Sequence, residues 1–239
     1  MLAPLTPAEW EIVVLSLKVS VAAITLTMPL AFALAWMLAR WSFPGKVLID
    51  AFVHLPLVVP PVVTGWLLLL AFGANGLIGR WLDQTFGFTF MFRWTGAALA
   101  SAVMALPLMV RAIRLSLETV DRRLELAART LGAGPWRTFG AITLPLAAPG
   151  VLAGAVLGFA RSIGEFGATI TFVSNIPGET QTLPLAIYSA LQLPGGEGLV
   201  ARLAALSVLL SLAALVASEV LIRRQGPGRE STGPKPHVL

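Results

Sequence analysis

The chain contains no cysteine, two histidines (His54 and His237) and one tyrosine among its 239 residues. The absence of cysteine excludes a thiolate zinc site, an iron–sulfur cluster, a disulfide framework and a cysteine nucleophile. Charged residues make up only 12% of the chain, whereas a soluble domain usually carries about 25%. Because hydrophobic residues reach 56%, too few polar side chains remain to coat a water-exposed surface. The composition therefore predicts a protein embedded in lipid and argues against a water-soluble enzyme.

Apolar runs long enough to cross a bilayer, about 20 residues each, occur five times. They cover residues 12–39, 47–73, 94–117, 138–160 and 199–222, and the fourth continues to about residue 173. This pattern predicts an all-α integral membrane protein with about five transmembrane helices, forming one domain over residues 1–222.

Two segments lie outside these runs. Residues 174–198 are moderately apolar but contain three prolines, so we predict a re-entrant or surface helix outside the cytoplasm, the alternative being a sixth crossing. Residues 223–239 are polar and rich in proline and glycine, which predicts a disordered cytoplasmic tail.

Basic residues predict the orientation of the chain. Twelve Lys and Arg residues lie in the stretches 40–46, 111–137 and 223–235, and the intervening stretch 74–93 holds two. The positive-inside rule then places the N-terminus outside and the C-terminus in the cytoplasm. The first eleven residues contain Glu9 and Glu11 but no Lys or Arg, which argues against a cleavable signal peptide.

One cytoplasmic stretch, residues 118–145, predicts a short amphipathic helix. Apolar residues recur at helical spacing and glycines follow them, at Leu124, Ala127, Ala128, Leu131, Gly132 and Gly134. The residues alone leave two main uses open: lying on anionic lipid, or docking into a partner protein. Nucleic-acid binding is the least favoured use.

Charged and polar residues in the fourth run indicate a candidate path or gate. Arg161 and Glu165 stand four residues apart, and such a pair is expensive against lipid, so it should face protein or water. It is either a structural pair that locks helices together or an attraction point for an anion. Nearby hydroxyl and amide groups suit an oxyanion, although membrane hydroxyls often bond their own backbone; they belong to Ser162, Thr169, Thr171, Ser174 and Asn175.

Prolines interrupt the second run. Pro60 and Pro61 remove backbone donors and should break the helix. A break at membrane depth forms either a gate or a packing kink. Asp50 and His54, one turn apart, are predicted to form an interfacial pair, the alternative being a proton relay.

The spacing of small residues in the cytoplasmic stretch resembles the coupling loop of importer-type ABC permeases. The matching positions are Ala127, Ala128, Gly132, Ile142, Leu144 and Pro145. The glutamate of that motif would fall at Leu126, and this chain has Glu125 one position earlier. Longer segments, such as HLPLVVPPVV at 54–63 and FARSIGEFGATITFVSNIPGET at 159–180, are similar to the molybdate permeases of this superfamily. Sulfate and tungstate permeases are similar around Gly164 and Glu165.

The resemblance implies an ABC importer permease that translocates molybdate, or alternatively sulfate, thiosulfate or tungstate. It implies a homodimer in the bacterial inner membrane, two cytoplasmic ATPase subunits and an extracytoplasmic molybdate-binding protein. The chain has no G-x4-G-K-[ST] motif, so ATP and magnesium belong to the partner ATPase. We therefore expect a non-catalytic subunit without a cofactor, a metal site or a nucleic-acid partner. An ion-coupled secondary carrier is a less favoured alternative.

Overall fold

The computed structural model describes residues 5–225, with the side chains of 218, 219 and 221–225 excepted. Within this range all regular structure is helical. The helices are α1 (Pro7–Arg40), α2 (Lys46–Val58), α3 (Pro61–Phe72), α4 (Leu77–Phe86), α5 (Trp94–Thr119), α6 (Arg122–Thr130), α7 (Pro135–Thr138), a π-helical turn (Phe139–Thr143), α8 (Leu144–Ile163), α9 (Gly167–Val173), α10 (Leu183–Leu191) and α11 (Glu197–Gln225).

Four stretches of the described chain are long and apolar enough to cross a membrane as helices. They are Pro7–Arg40, Trp94–Thr119, Pro135–Ile163 and Glu197–Ala217. A fifth crossing arises if α2 and α3, bent by 115° at their junction, form one broken span. The prediction of an all-α protein with about five spans is confirmed.

The core forms around α5, which packs against α1 and α8 along most of its length. Met109, Ile113 and Leu117 on α5 are fully buried. Gly158 on α8 permits the close approach, because a Cβ there would lie 2.8 Å from Ile24 and Met109 side-chain atoms. Small residues at such contacts are typical of helix packing in membranes.

Buried and half-buried charges are paired between helices. Glu9 caps the start of α1 through the Thr6 backbone, and its carboxylate also accepts a 2.7 Å hydrogen bond from Arg202 on α11. At the other end of α1, Asp50 on α2 contacts His54 at 3.2 Å and Arg114 on α5 at 3.0 Å. This arrangement matches the predicted interfacial pair and ties α2 to α5.

The structure describes one of the two segments predicted to lie outside the five runs, and the beginning of the other. Residues 174–198 contain α10, whose nine residues are too few to cross a bilayer, as expected for a re-entrant or surface helix. Helix α11 continues to Gln225, beyond the predicted start of the tail at residue 223. The rest of the predicted tail, 226–239, lies outside the described residues.

Candidate functional site

Two broken helices pack against each other. Helix α2 ends at Val58 and α3 begins at Pro61, where proline lacks the N–H that would continue the ladder. Helix α8 ends at Ile163, and α9 begins at Gly167. The prediction that the four-residue spacing places Arg161 and Glu165 on one continuous helix is therefore wrong: Arg161 lies on α8 and Glu165 lies between α8 and α9.

Glycines bring the two breaks into contact. A Cβ on Gly65 of α3 would lie 2.6 Å from the carbonyl oxygen of Ala168 on α9. A Cβ on Gly167 would lie 2.8 Å from the Pro61 side chain, at the start of α3. Because there is no room for a side chain at either position, α3 and α9 touch at backbone distance.

Glu165 joins the two halves of the second broken helix. Its Oε2 lies 2.5 Å from Nη1 of Arg161, on the last turn of α8. Its Oε1 accepts a 2.9 Å hydrogen bond from the backbone N–H of Ala168, in the first turn of α9. The Glu165 side chain is 1% exposed and that of Arg161 is 25% exposed. This geometry, which we call the lock, connects α8 to α9 across the break and leaves the Arg161 side chain partly exposed.

The other predicted path residues divide into exposed and buried groups. Pro60, Pro61 and Ser174 are exposed, whereas Ser162 and Thr169 are buried. The Thr171 hydroxyl donates to the Gly167 carbonyl at 2.8 Å, the backbone-bonding alternative for such a group. Pro60 and Pro61 lie at the break between α2 and α3, and Ser174 directly follows the end of α9.

A buried threonine that the sequence did not indicate holds the segment after α9. Thr180 Oγ1 donates to the Ser174 carbonyl at 3.0 Å and accepts from the Ile176 N–H at 2.8 Å. Ser174 has φ 64°, an uncommon value for a residue with a side chain. Next to it, the Asn175 side-chain amide donates to Ser189 Oγ on α10 at 2.5 Å. These bonds fix the segment that connects α9 to α10.

The predicted short helix is α6, and none of its residues is buried. Asp121 caps its start by accepting from the Arg123 N–H at 2.9 Å. It ends before Gly132, whose φ of 87° matches the predicted turn at a glycine. Leu126 and Leu131 are 60% and 88% exposed. The described chain thus leaves this helix without an intramolecular cover.

Glu125 faces inward from α6. Its Oε1 accepts hydrogen bonds from Arg40 Nη2 at 2.8 Å and from the Thr143 hydroxyl at 2.7 Å. Arg40 ends α1 and Thr143 ends the π-helical turn, so one carboxylate connects three elements. Ile142 lies in the same turn, and Leu144 and Pro145 begin α8. Sequence reasoning missed Arg40 and Thr143 as partners of Glu125 because separations of 85 and 18 residues leave no local pattern.

The described residues contain no group of three or more His, Asp or Glu side chains placed to hold a metal ion. Discontinuous membrane helices are a feature of many transport proteins. The sequence supports this class directly: residues 28–226 match the family of binding-protein-dependent transport system inner membrane components, and the chain belongs to that family.

Curated relatives cover nearly the whole chain. It is 59% identical over 227 residues to the molybdenum transport system permease protein ModB of Escherichia coli K12, covering 94% of this chain and 99% of the relative. It is 62% identical over 210 residues to the ModB protein of Haemophilus influenzae, covering 88% and 92%. The sulfate transport system permease protein CysT of Escherichia coli K12 is 38% identical, covering 74% and 65%.

Solved structures of ABC transporters share the fold. The MetNI methionine ABC transporter, in inward-facing conformations, matches with a TM-score of 0.68 at 16% identity, covering 92% of this chain and 94% of the matched chain. A bacterial alginate ABC transporter in complex with its pentasaccharide-bound periplasmic protein matches with a TM-score of 0.73 at 16% identity, covering 92% and 80%. At these identities the likeness establishes the fold.

Proposed function

We propose that this chain is the permease subunit of an ATP-driven importer and translocates molybdate into the cytoplasm. The observation that carries the proposal is 59% identity, over 94% of the chain, to a molybdenum transport permease. The broken helices and the uncovered α6 supply the parts that such a subunit needs: an irregular membrane interior and a docking element.

The proposed path runs where two copies of the chain meet at the helix breaks. Irregular backbone is tolerated at membrane depth only when protein covers it or water lines it. Pro60, Pro61 and Gly164 are exposed in the single chain, so a second copy is the natural cover and the space between the copies is the route. The partly exposed side chain of Arg161 lies beside the second break.

Helix α6 is proposed to dock the ATPase. A short helix with exposed leucines and alanines suits insertion into a groove of a partner. Leu126 stands where the motif of related coupling loops carries glutamate, so an exposed apolar side chain takes the place of that charge. The acidic group, Glu125, is engaged by Arg40 and Thr143 instead. ATP and magnesium would bind the ATPase subunits, and an extracytoplasmic binding protein would deliver the anion.

The substrate is tested by competition. We expect vesicles containing the assembled transporter and a molybdate-loaded binding protein to take up labelled molybdate on ATP addition. Excess unlabelled molybdate or tungstate should block uptake, since both are tetrahedral dianions of similar size, and excess sulfate should block it less. Uptake abolished by sulfate and unaffected by tungstate would reassign the substrate to sulfate. Uptake driven by an ion gradient without the ATPase would overturn the importer itself.

The orientation is tested by cysteine labelling, for which a cysteine-free chain is well suited. We place α6 in the cytoplasm and the segment before α10 outside, so Thr130→Cys and Glu179→Cys should react with an impermeant reagent from opposite sides. Both positions are exposed, so a failed reaction would not reflect burial. Labelling of both variants from the same side would contradict the proposed topology.

A further inference from the structure

Two adjoining cavities lie between the end of α1 and the segment from α6 to the π-helical turn. The first, about 470 Å³, is lined largely by aromatic and apolar side chains, among them Phe32, Trp36, Trp41, Trp136 and Phe139. We call it the aromatic groove. The second, about 410 Å³, is lined by Arg40, Arg122 and Arg129 together with Glu125 and Leu126. We call it the arginine cavity. The two share Trp36, Trp41, Glu125 and Arg129, so they form one continuous amphipathic slot.

The arginine cavity has an excess of positive charge. Three guanidinium groups face one carboxylate, and that carboxylate already accepts bonds from Arg40 and Thr143. Arg122 and Arg129 have no acidic group within salt-bridge distance in the described part of the chain. Arg40 is 9% exposed, and its buried Nε has no hydrogen-bond partner there. Such a cavity is built for an anion that accepts several guanidinium hydrogen bonds, as a phosphate does.

The aromatic groove indicates which kind of anion would bind in the arginine cavity. It follows the last turns of α1, where Trp36, Trp41 and Arg40 are of the residue types that concentrate at a membrane surface. Trp36 and Phe139 pack edge to face with centroids 5.2 Å apart and form a wall on which an acyl chain can lie. A free phosphate or a partner's carboxylate would satisfy the arginines but leave this groove empty. A phospholipid fills both halves.

We infer that this slot binds an anionic phospholipid, with its phosphate among Arg40, Arg122 and Arg129 and an acyl chain in the aromatic groove. The lipid would sit against the inner side of α6 and touch the bond between Glu125 and Arg40. It would therefore brace the helix proposed to meet the ATPase. The inference rests on the membrane location of the chain and does not depend on which anion is transported.

The test uses the tryptophans that line the slot. The assembled permease–ATPase complex in detergent is titrated with phosphatidylglycerol carrying brominated acyl chains, which quench nearby tryptophan fluorescence. We expect saturable quenching at lower concentration than with brominated phosphatidylcholine. Trp136→Leu should remove part of the quenching. Trp81→Leu, on α4 and outside the slot, should remove none of the saturable component.

Charge variants supply the decisive comparison. Arg122→Gln combined with Arg129→Gln should raise the concentration for half-quenching about tenfold or more, since each arginine near a membrane surface contributes about 1 kcal/mol toward anionic lipid. Arg123→Gln is the matched control, because Arg123 is exposed on the same helix but does not line either cavity. It should leave the curve unchanged.

Four outcomes would overturn the inference. Equal quenching by the two lipids would remove the anionic preference, and an equal effect of Arg123→Gln would remove the site. Competition by glycerol phosphate as strong as that by the lipid would identify a free phosphate. Saturable quenching in the permease alone that disappears on ATPase binding would assign the slot to the ATPase. Each is independent of molybdate uptake, which is measured separately.

Discussion

Replacing Gly132 with threonine is expected to abolish transport and ATPase stimulation while the permease still folds and inserts. Gly132 ends α6 with φ 87°, a conformation that costs a β-branched residue about 1 to 2 kcal/mol or more. A Cβ at this position would meet nothing within 4 Å, so the strain is confined to the backbone. The chain relieves it by leaving the turn differently, which misdirects Leu131 and the exposed face of α6.

The matched control is Gly134→Thr, two residues later. A Cβ on Gly134 also lies in open space, but its φ is −66°, and it caps the start of α7, where threonine is favourable. This variant should hydrolyse ATP and take up molybdate normally. The measurements are co-purification of the ATPase, ATP hydrolysis stimulated by the loaded binding protein, and vesicle uptake. Normal coupling in Gly132→Thr would contradict the assignment of α6 as the docking element.

Removing the Arg161 side chain is expected to reduce transport as strongly, because the permease would no longer assemble efficiently. Arg161→Ala leaves Glu165 as a buried carboxylate without its cation, which typically costs about 3 to 5 kcal/mol. The lock between α8 and α9 would open, and the yield of folded permease dimer in mild detergent should fall sharply. Arg161→Lys should retain more, since it keeps the charge but loses the guanidinium geometry.

A double variant separates the lock from a role in anion attraction. Arg161→Ala with Glu165→Gln removes both charges while the glutamine oxygen can still accept from the Ala168 N–H. We expect this variant to recover assembly and much of the uptake. Recovery of assembly without uptake would show instead that the Arg161 charge draws the anion. Normal assembly of Arg161→Ala alone would refute the lock.

The membrane-spanning helices were predictable because a bilayer requires a minimum length of apolar helix. Apolar runs of that length can be read directly from the sequence. The run 94–117 corresponds to α5 within two residues at its end. The break at Pro60 and Pro61 was also predictable, because proline removes a donor wherever it stands. The turn at Gly132 followed from the same kind of local chemistry.

The sequence could not show where the fourth run breaks. The apolar pattern continues through Gly164 to Gly167, and glycine alone does not end a helix that tertiary contacts can support. The Glu165 side chain caps the start of α9 through the nearby Ala168 N–H, but the packing of α3 against α9 joins distant parts of the chain. The partners of Glu125 were hidden for the same reason.

The glycine contact between α3 and α9 has a consequence for how this subunit could move. Close-packed interiors switch between discrete arrangements and do not deform continuously. Since Gly65 and Gly167 hold α3 and α9 at backbone distance, we expect the two helices to move together. The dihedral changes would then fall on the non-helical residues 59–60 and 164–166, which would act as a double hinge. The two broken helices would thus move together about two hinges, and each hinge lies where a regular helix is interrupted.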